Sequence, residues 1–175
     1  LRRNKLGDDH DKVADALIAI GNVQNDMNNI DKATRSYQEA LAILSMAGRE
    51  GDERVADVLQ YMGGMEFRCG DLDRARLFLE EFVRIRRQGK IDGEFVNALI
   101  TIGKIHMIHG EEGAAKECWS KANEVFQALG LASENPKIAR MLDTLLLGDR
   151  DKEASRKKPT TVDNSPISVL MTLGG

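Results

Sequence analysis

His106 and His109 stand three residues apart, a spacing that brings two imidazoles onto one face of a helix. Cys118 follows nine residues later, so two ring nitrogens and a thiolate form the start of a metal-ligand set. Two ligands and a third on a facing element still fall short of a zinc site, and no CxxC spacing occurs. Cys69 and Cys118 are the only cysteines, too few for a disulfide framework. No pattern of cationic neighbours marks either thiol as a nucleophile. The glycines Gly63 and Gly64, or Gly110 and Gly113, belong to no GxxxxGK or GxGxxG phosphate loop. Carboxylates are abundant, but none is paired within an apolar stretch as general acid–base work requires. The expectation is no catalytic residue, no metal and no cofactor. A metal-binding regulatory protein using His106, His109 and Cys118 is the rival reading.

The elements that position these residues follow from composition and repeat. Of 175 residues, 42% are hydrophobic and 30% charged, with 25 Lys+Arg against 28 Asp+Glu and a net charge of −3. That balance argues against a surface built to neutralise nucleic-acid phosphates. No apolar run approaches the ~20 residues of a membrane span. Three prolines among many Ala, Leu and Glu point to a mostly helical chain. The chain opens on Leu1, and LRRNKLGDDH reads as the end of one helix plus a loop, closing a preceding unit in a longer protein. A cytoplasmic location is expected.

Three segments align without gaps: LIAIGNVQNDMNNIDKATRSYQEALAI from Leu17, LQYMGGMEFRCGDLDRARLFLEEFVRI from Leu59 and LITIGKIHMIHGEEGAAKECWSKANEV from Leu99. Gly21, Gly63 and Gly103 recur at spacings of 42 and 40; an alanine follows each by twelve residues (Ala33, Ala75, Ala115). Four further on stands a large side chain: Tyr37, Leu79 or Trp119. Each unit reads as two amphipathic helices joined by a tight turn. The small residues let paired helices approach closely. Asn28-Asn29, Gly70-Asp71 and Gly110-Glu111 make the turns, with a left-handed residue leading each. Asn29 and Asp71 are expected to cap the following helix, and Glu111 to be a poor cap. Helices are predicted over 11–27, 31–46, 52–68, 72–87, 93–109, 112–128 and 136–148.

This pattern resembles the tetratricopeptide repeat, and the long period resembles kinesin light chains and their relatives. The resemblance implies an all-α, right-handed solenoid of helical hairpins. Residues 1–10 would end a preceding repeat, 11–50, 51–92 and 93–134 form three repeats, 135–148 a capping helix and 149–175 a disordered tail. It also implies a protein–protein interaction scaffold or adaptor, with no nucleic acid or membrane partner. A structural segment packed within a larger assembly is the other non-catalytic reading. The first helices would line a groove for a partner peptide or helix. By register the groove residues include Asp15, Asn22, Asn25, Asp26, Asp57, Tyr61, Phe67, Arg68, Ile100, Lys104, Met107, Ile108 and Arg140. The lysine of the chaperone co-factor carboxylate clamp is replaced by Ile18, and the asparagine ladder of kinesin light chains by Ala19, Tyr61, Thr101 and Thr144. In the tail, Ile167, Val169, Leu170, Met171 and Leu173 form an apolar string. It reads either as chance residues of a disordered terminus or as a docking peptide for a partner or the chain's own groove. Thr160, Thr161 and Ser165 precede it as phosphorylation candidates.

Overall fold

A computed structural model describes residues 2–147, with side chains from 10 to 146. Seven helices follow one another: α1 (Arg2–Asp26), α2 (Ile30–Met46), α3 (Glu53–Cys69), α4 (Leu72–Arg86), α5 (Gly93–Ile108), α6 (Glu112–Ala128) and α7 (Pro136–Leu147). The described residues contain no strand. They pack as hairpins, α1 with α2, α3 with α4 and α5 with α6, and α7 covers α6. Among the described residues no helix is long and apolar enough to cross a membrane.

The turns have the predicted backbone. Asn28 (φ 60°), Gly70 (φ 87°) and Gly110 (φ 79°) each sit in the left-handed region and reverse the chain within a hairpin. Asp71 caps α4 by accepting from Arg74 N at 3.1 Å, and Asp52 and Asp92 cap α3 and α5 in the same way. Asn29 does not cap α2: its amide donates to Gln24 at 3.0 Å instead. Glu111 likewise makes no cap bond and turns to His106. Gln24, Glu66 and His106 occupy one register position three residues past the glycines. Each binds a polar group at or just beyond its own turn: Asn29, Arg74 and Glu111.

The start of the chain departs from expectation. Instead of a helix end and a loop, residues 2–10 are the first turns of α1, which runs unbroken for 25 residues. The segment has no proline, and its one glycine, Gly7, costs a helix only about 1 kcal/mol. The tail and its apolar string lie outside the described residues.

One core runs the length of the stack, from Ala14 in α1 to Leu142 in α7, and a second cluster of Ala33, Tyr37, Val58, Met62 and Met65 joins α2 to α3. Phe82 and Phe126 are completely buried, each contributing roughly 1.5–3 kcal/mol. Phe82, in the slot held by Ala40 and Ala122, shares the core with the small residues Ala56 and Ala98. Within each hairpin the recurrent glycine meets the recurrent large side chain: Gly21 faces Tyr37, Gly63 faces Leu79 and Gly103 faces Trp119. This spacing of sixteen residues sets the register of every pair.

Candidate functional site

The first helices of the hairpins, α1, α3 and α5, carry all the residues expected to line a groove except Arg140 of α7, and polar contacts join α1 to α3. Tyr37, buried in α2, donates its hydroxyl to Asn22 Oδ1 in α1 at 2.7 Å. Tyr61 of α3 stacks on Tyr37 with ring centroids 5.9 Å apart and planes 9° from parallel. Arg68, two turns further along α3, donates to Asn25 Oδ1. Asn22, Asn25, Tyr61 and Arg68 therefore form one linked patch across α1 and α3, with exposed Asp26 beside it. Burial pushes the Tyr37 phenol up to about 12, helped by Tyr61 and Asp26. Burial also raises Tyr61, with Asp57 and Glu94 adding to the effect and a hydrogen bond from Asn22 opposing it.

The acidic residues expected in the groove are partly committed to ion pairs. Asp15 pairs with Arg54 at 3.2 Å, and Arg54 also holds Asp11 at 3.0 Å and Asp52 at 2.9 Å. Asp57 pairs with Arg86, whose side chain is only 5% exposed at the end of α4. Arg86 also reaches Glu53 at 2.8 Å, and Asp92 and Glu94 at 3.7 Å each, while its guanidinium lies over the Phe82 ring. Four carboxylates around one guanidinium leave net negative charge between α3 and α5. Burial raises Asp57 and Glu94 above the usual carboxylate range; Arg86 pulls both back, and their acidic neighbours push both further up. The sequence reading missed this cluster apart from Asp57. Its signal is register: Ala75, Leu79, Phe82 and Arg86 match Ala33, Tyr37, Ala40 and Leu44, so Arg86 holds a core position filled elsewhere by Leu44 and Phe126.

Further along, Lys104, Met107 and Ile108 stand on α5 and Arg140 on α7. Met107 is 38% and Ile108 62% exposed, large apolar groups that the core does not use. Two groove assignments change. Ile100 is buried, and its carbonyl accepts from the Trp119 indole at 3.2 Å, because α5 is packed on by both α4 and α6. Phe67 is half-buried against the core, so its ring serves packing before it serves a partner.

The rival metal set does not assemble. His106 Nδ1 binds Glu111, His109 is the exposed C-cap of α5, and the half-buried Cys118 has its thiol raised by burial. His106 and Cys118 share the wall of a groove of about 430 Å³ between α4 and α6, floored by Leu99 and Ile102. Among the described residues no three His, Cys, Asp or Glu side chains are grouped to hold a metal.

No protein-family model matches the chain. Over 136 residues it is 26% identical to a Tonsoku-like protein of Drosophila melanogaster, a match covering 77% of this chain and 9% of that protein. Among solved structures it resembles BtubC (BKLC) from P. vanneervenii, with a TM-score of 0.61 and 24% identity, over 68% of this chain and 48% of that one. It also resembles the N-terminal domain of stress-induced protein-1 (STI-1) from C. elegans, with a TM-score of 0.60 and 14% identity, over 78% of this chain and 96% of that one. The chain thus spans a small fraction of its Drosophila relative and about half of BtubC. Helical hairpins in register, recurrent glycine-to-large-residue packing and these likenesses together make the fold a tetratricopeptide-type solenoid.

Proposed function

We propose that this chain is a protein-interaction scaffold that holds an extended peptide or a helix of a partner across the face made by its first helices. One observation carries the reading. That face combines a polar patch of Asn22, Asn25, Tyr61 and Arg68 with the apolar groups Met107 and Ile108, which packing leaves exposed. A partner segment suited to it carries basic groups for Asp26 and the Asp57–Glu94 cluster, and apolar anchors for Met107 and Ile108. Arg68, Lys104 and Arg140 favour acidic groups nearer the far end. We assign the chain no catalytic role, no nucleic-acid or membrane partner and a cytoplasmic setting, where its two free cysteines stay reduced.

Selection of peptides from a displayed random library against the folded chain tests the reading. The recovered sequences should share a basic end and apolar anchors. The double substitution Tyr61→Ala with Lys104→Glu should weaken their binding roughly tenfold or more, as loss of an aromatic anchor does. Unchanged binding by a variant with native circular dichroism places the site elsewhere.

A further inference from the structure

The stacking face of α1 has no partner among the described residues. Val13, Ala16, Ile20 and Val23 match Val55, Val58, Met62 and Met65 of α3 by the repeat spacing of 42. They match Phe95, Ala98, Ile102 and Ile105 of α5 in the same register. In α3 these side chains are at most 9% exposed, covered by α2; in α5 they are at most 4% exposed, covered by α4. In α1, Val13 and Ile20 are 49% exposed, Val23 55% and Met27 63%. One helix therefore leaves open a face that the same fold buries twice over.

A hairpin neighbour joined as α2 is joined to α3 does not fit there. That connection is the six-residue stretch 47–52, just before α3 begins at Glu53. Its register equivalent is residues 5–10, which are helical, and α1 starts nine residues before Asp11, the counterpart of Glu53. The occupant has to arrive from outside that local connection.

We propose that the occupant is a second copy of this chain, with the two α1 helices crossing antiparallel about a twofold axis level with Ile18. Three features fit an isologous contact. Val13, Ile20 and Met27 recur every seven residues with Ala16 and Val23 between them, the spacing of a helix–helix seam. The antiparallel register sets Val13 of one copy against Val23 of the other, and small Ala16 against larger Ile20. The same register brings Lys12 of one copy beside Asp26 of the other, twice by symmetry. Both are exposed, and they lie on one flank of the stripe, where opposite charges fix the pairing and direction of two helices. A parallel pair would put the two Lys12–Asp26 flanks on opposite sides of the seam and make no such contact.

Sedimentation velocity of the full chain over a concentration series tests this. The expected result is reversible association to twice the mass of one chain. Ile20→Glu with Val23→Glu should raise the dissociation constant roughly tenfold or more, because both charges would enter the seam. Lys12→Glu alone should weaken association, and Lys12→Glu with Asp26→Lys should restore it, an outcome that a merely misfolded variant cannot produce. A chain that stays monomeric throughout overturns the proposal and leaves the face to another protein's helix, to a segment preceding Leu1 or to residues 148–175. Association indifferent to the α1 substitutions, or a charge swap that fails to restore it, overturns it equally.

Discussion

Gly103 is a glycine because Trp119 occupies the space that a side chain there would need. A Cβ at 103 would lie 2.6 Å and 2.9 Å from the indole Cδ1 and Cε2, and the indole N–H is held in place by the Ile100 carbonyl. Gly103→Ala should therefore destabilise the chain by about 1–3 kcal/mol, outweighing the roughly 1 kcal/mol that alanine gains in helix propensity. Gly113→Ala, near the start of α6 with nothing within 4 Å, should be neutral or stabilising by up to about 1 kcal/mol. Urea unfolding of both variants checks the contrast. Equal effects would mean that the close approach is not what holds the hairpin in register.

Arg86→Met should cost on the order of 2–4 kcal/mol, at or below the range for breaking a buried pair because the carboxylates it leaves are partly exposed. The sign of the pH effect follows from Asp57 and Glu94. Their folded pKa values are raised, so the stability they contribute is full below the unfolded values of 3.8 and 4.5 and lost as pH rises through the folded ones. Removing the arginine that opposes the rise should enlarge that loss. The deficit of the variant relative to the parent should be larger at pH 7 than near pH 4, and a constant deficit in chemical denaturation would refute the account.

Asp52 behaves in the opposite sense. Its carboxylate caps α3 and binds Arg54, whose hydrogen bonds hold it below the usual 3.8 despite partial burial. A lowered folded pKa gives stability that is present above 3.8 and lost as pH falls through the folded value. Asp52→Asn should keep most of the cap and lose the ion pair; Asp52→Ala should lose both and cost about 1 kcal/mol more than Asn. The difference between Asp52→Asn and the parent should shrink in acid, which unfolding curves at pH 7 and pH 2.5 would show.

Much of the fold is legible in the sequence because packing and turns repeat. Gly21, Gly63 and Gly103 are each followed sixteen residues later by the side chain that covers them, and the turns need residues that tolerate a left-handed backbone. The site is less legible. Nothing local marks Arg86 as buried; only its alignment with Leu44 and Phe126 does, and its four partners come from α3 and the start of α5. Ile100 looks groove-facing on a helical wheel, yet α4 and α6 both pack on α5 and leave it buried. The α1 extension has no strong signal either, since Gly7 among charged residues suits a loop as well as a helix.

Tyr37 and Tyr61 are the only tyrosines, so phenol absorbance reads their shared patch directly. Burial raises the Tyr37 pKa from 10.0 to about 12, and Tyr61 is raised as well. A raised phenol contributes stability that is complete below pH 10 and lost as pH rises through about 12. In the Tyr61→Phe chain Tyr37 alone titrates. The negative charge of Tyr61 is then gone, but burial, the larger cause, remains. Ionisation should still begin well above pH 10 and coincide with loss of helical circular dichroism, because the buried ring must reach water to release its proton. Asn22→Ala removes the acceptor of the Tyr37 hydroxyl and should cost roughly 1–3 kcal/mol, since a buried donor is left unpaired. A Tyr37 that titrates freely near pH 10 while the helices persist would show that the Asn22–Tyr37–Tyr61 patch is open to solvent, and would remove the rigid platform on which the proposed partner surface rests.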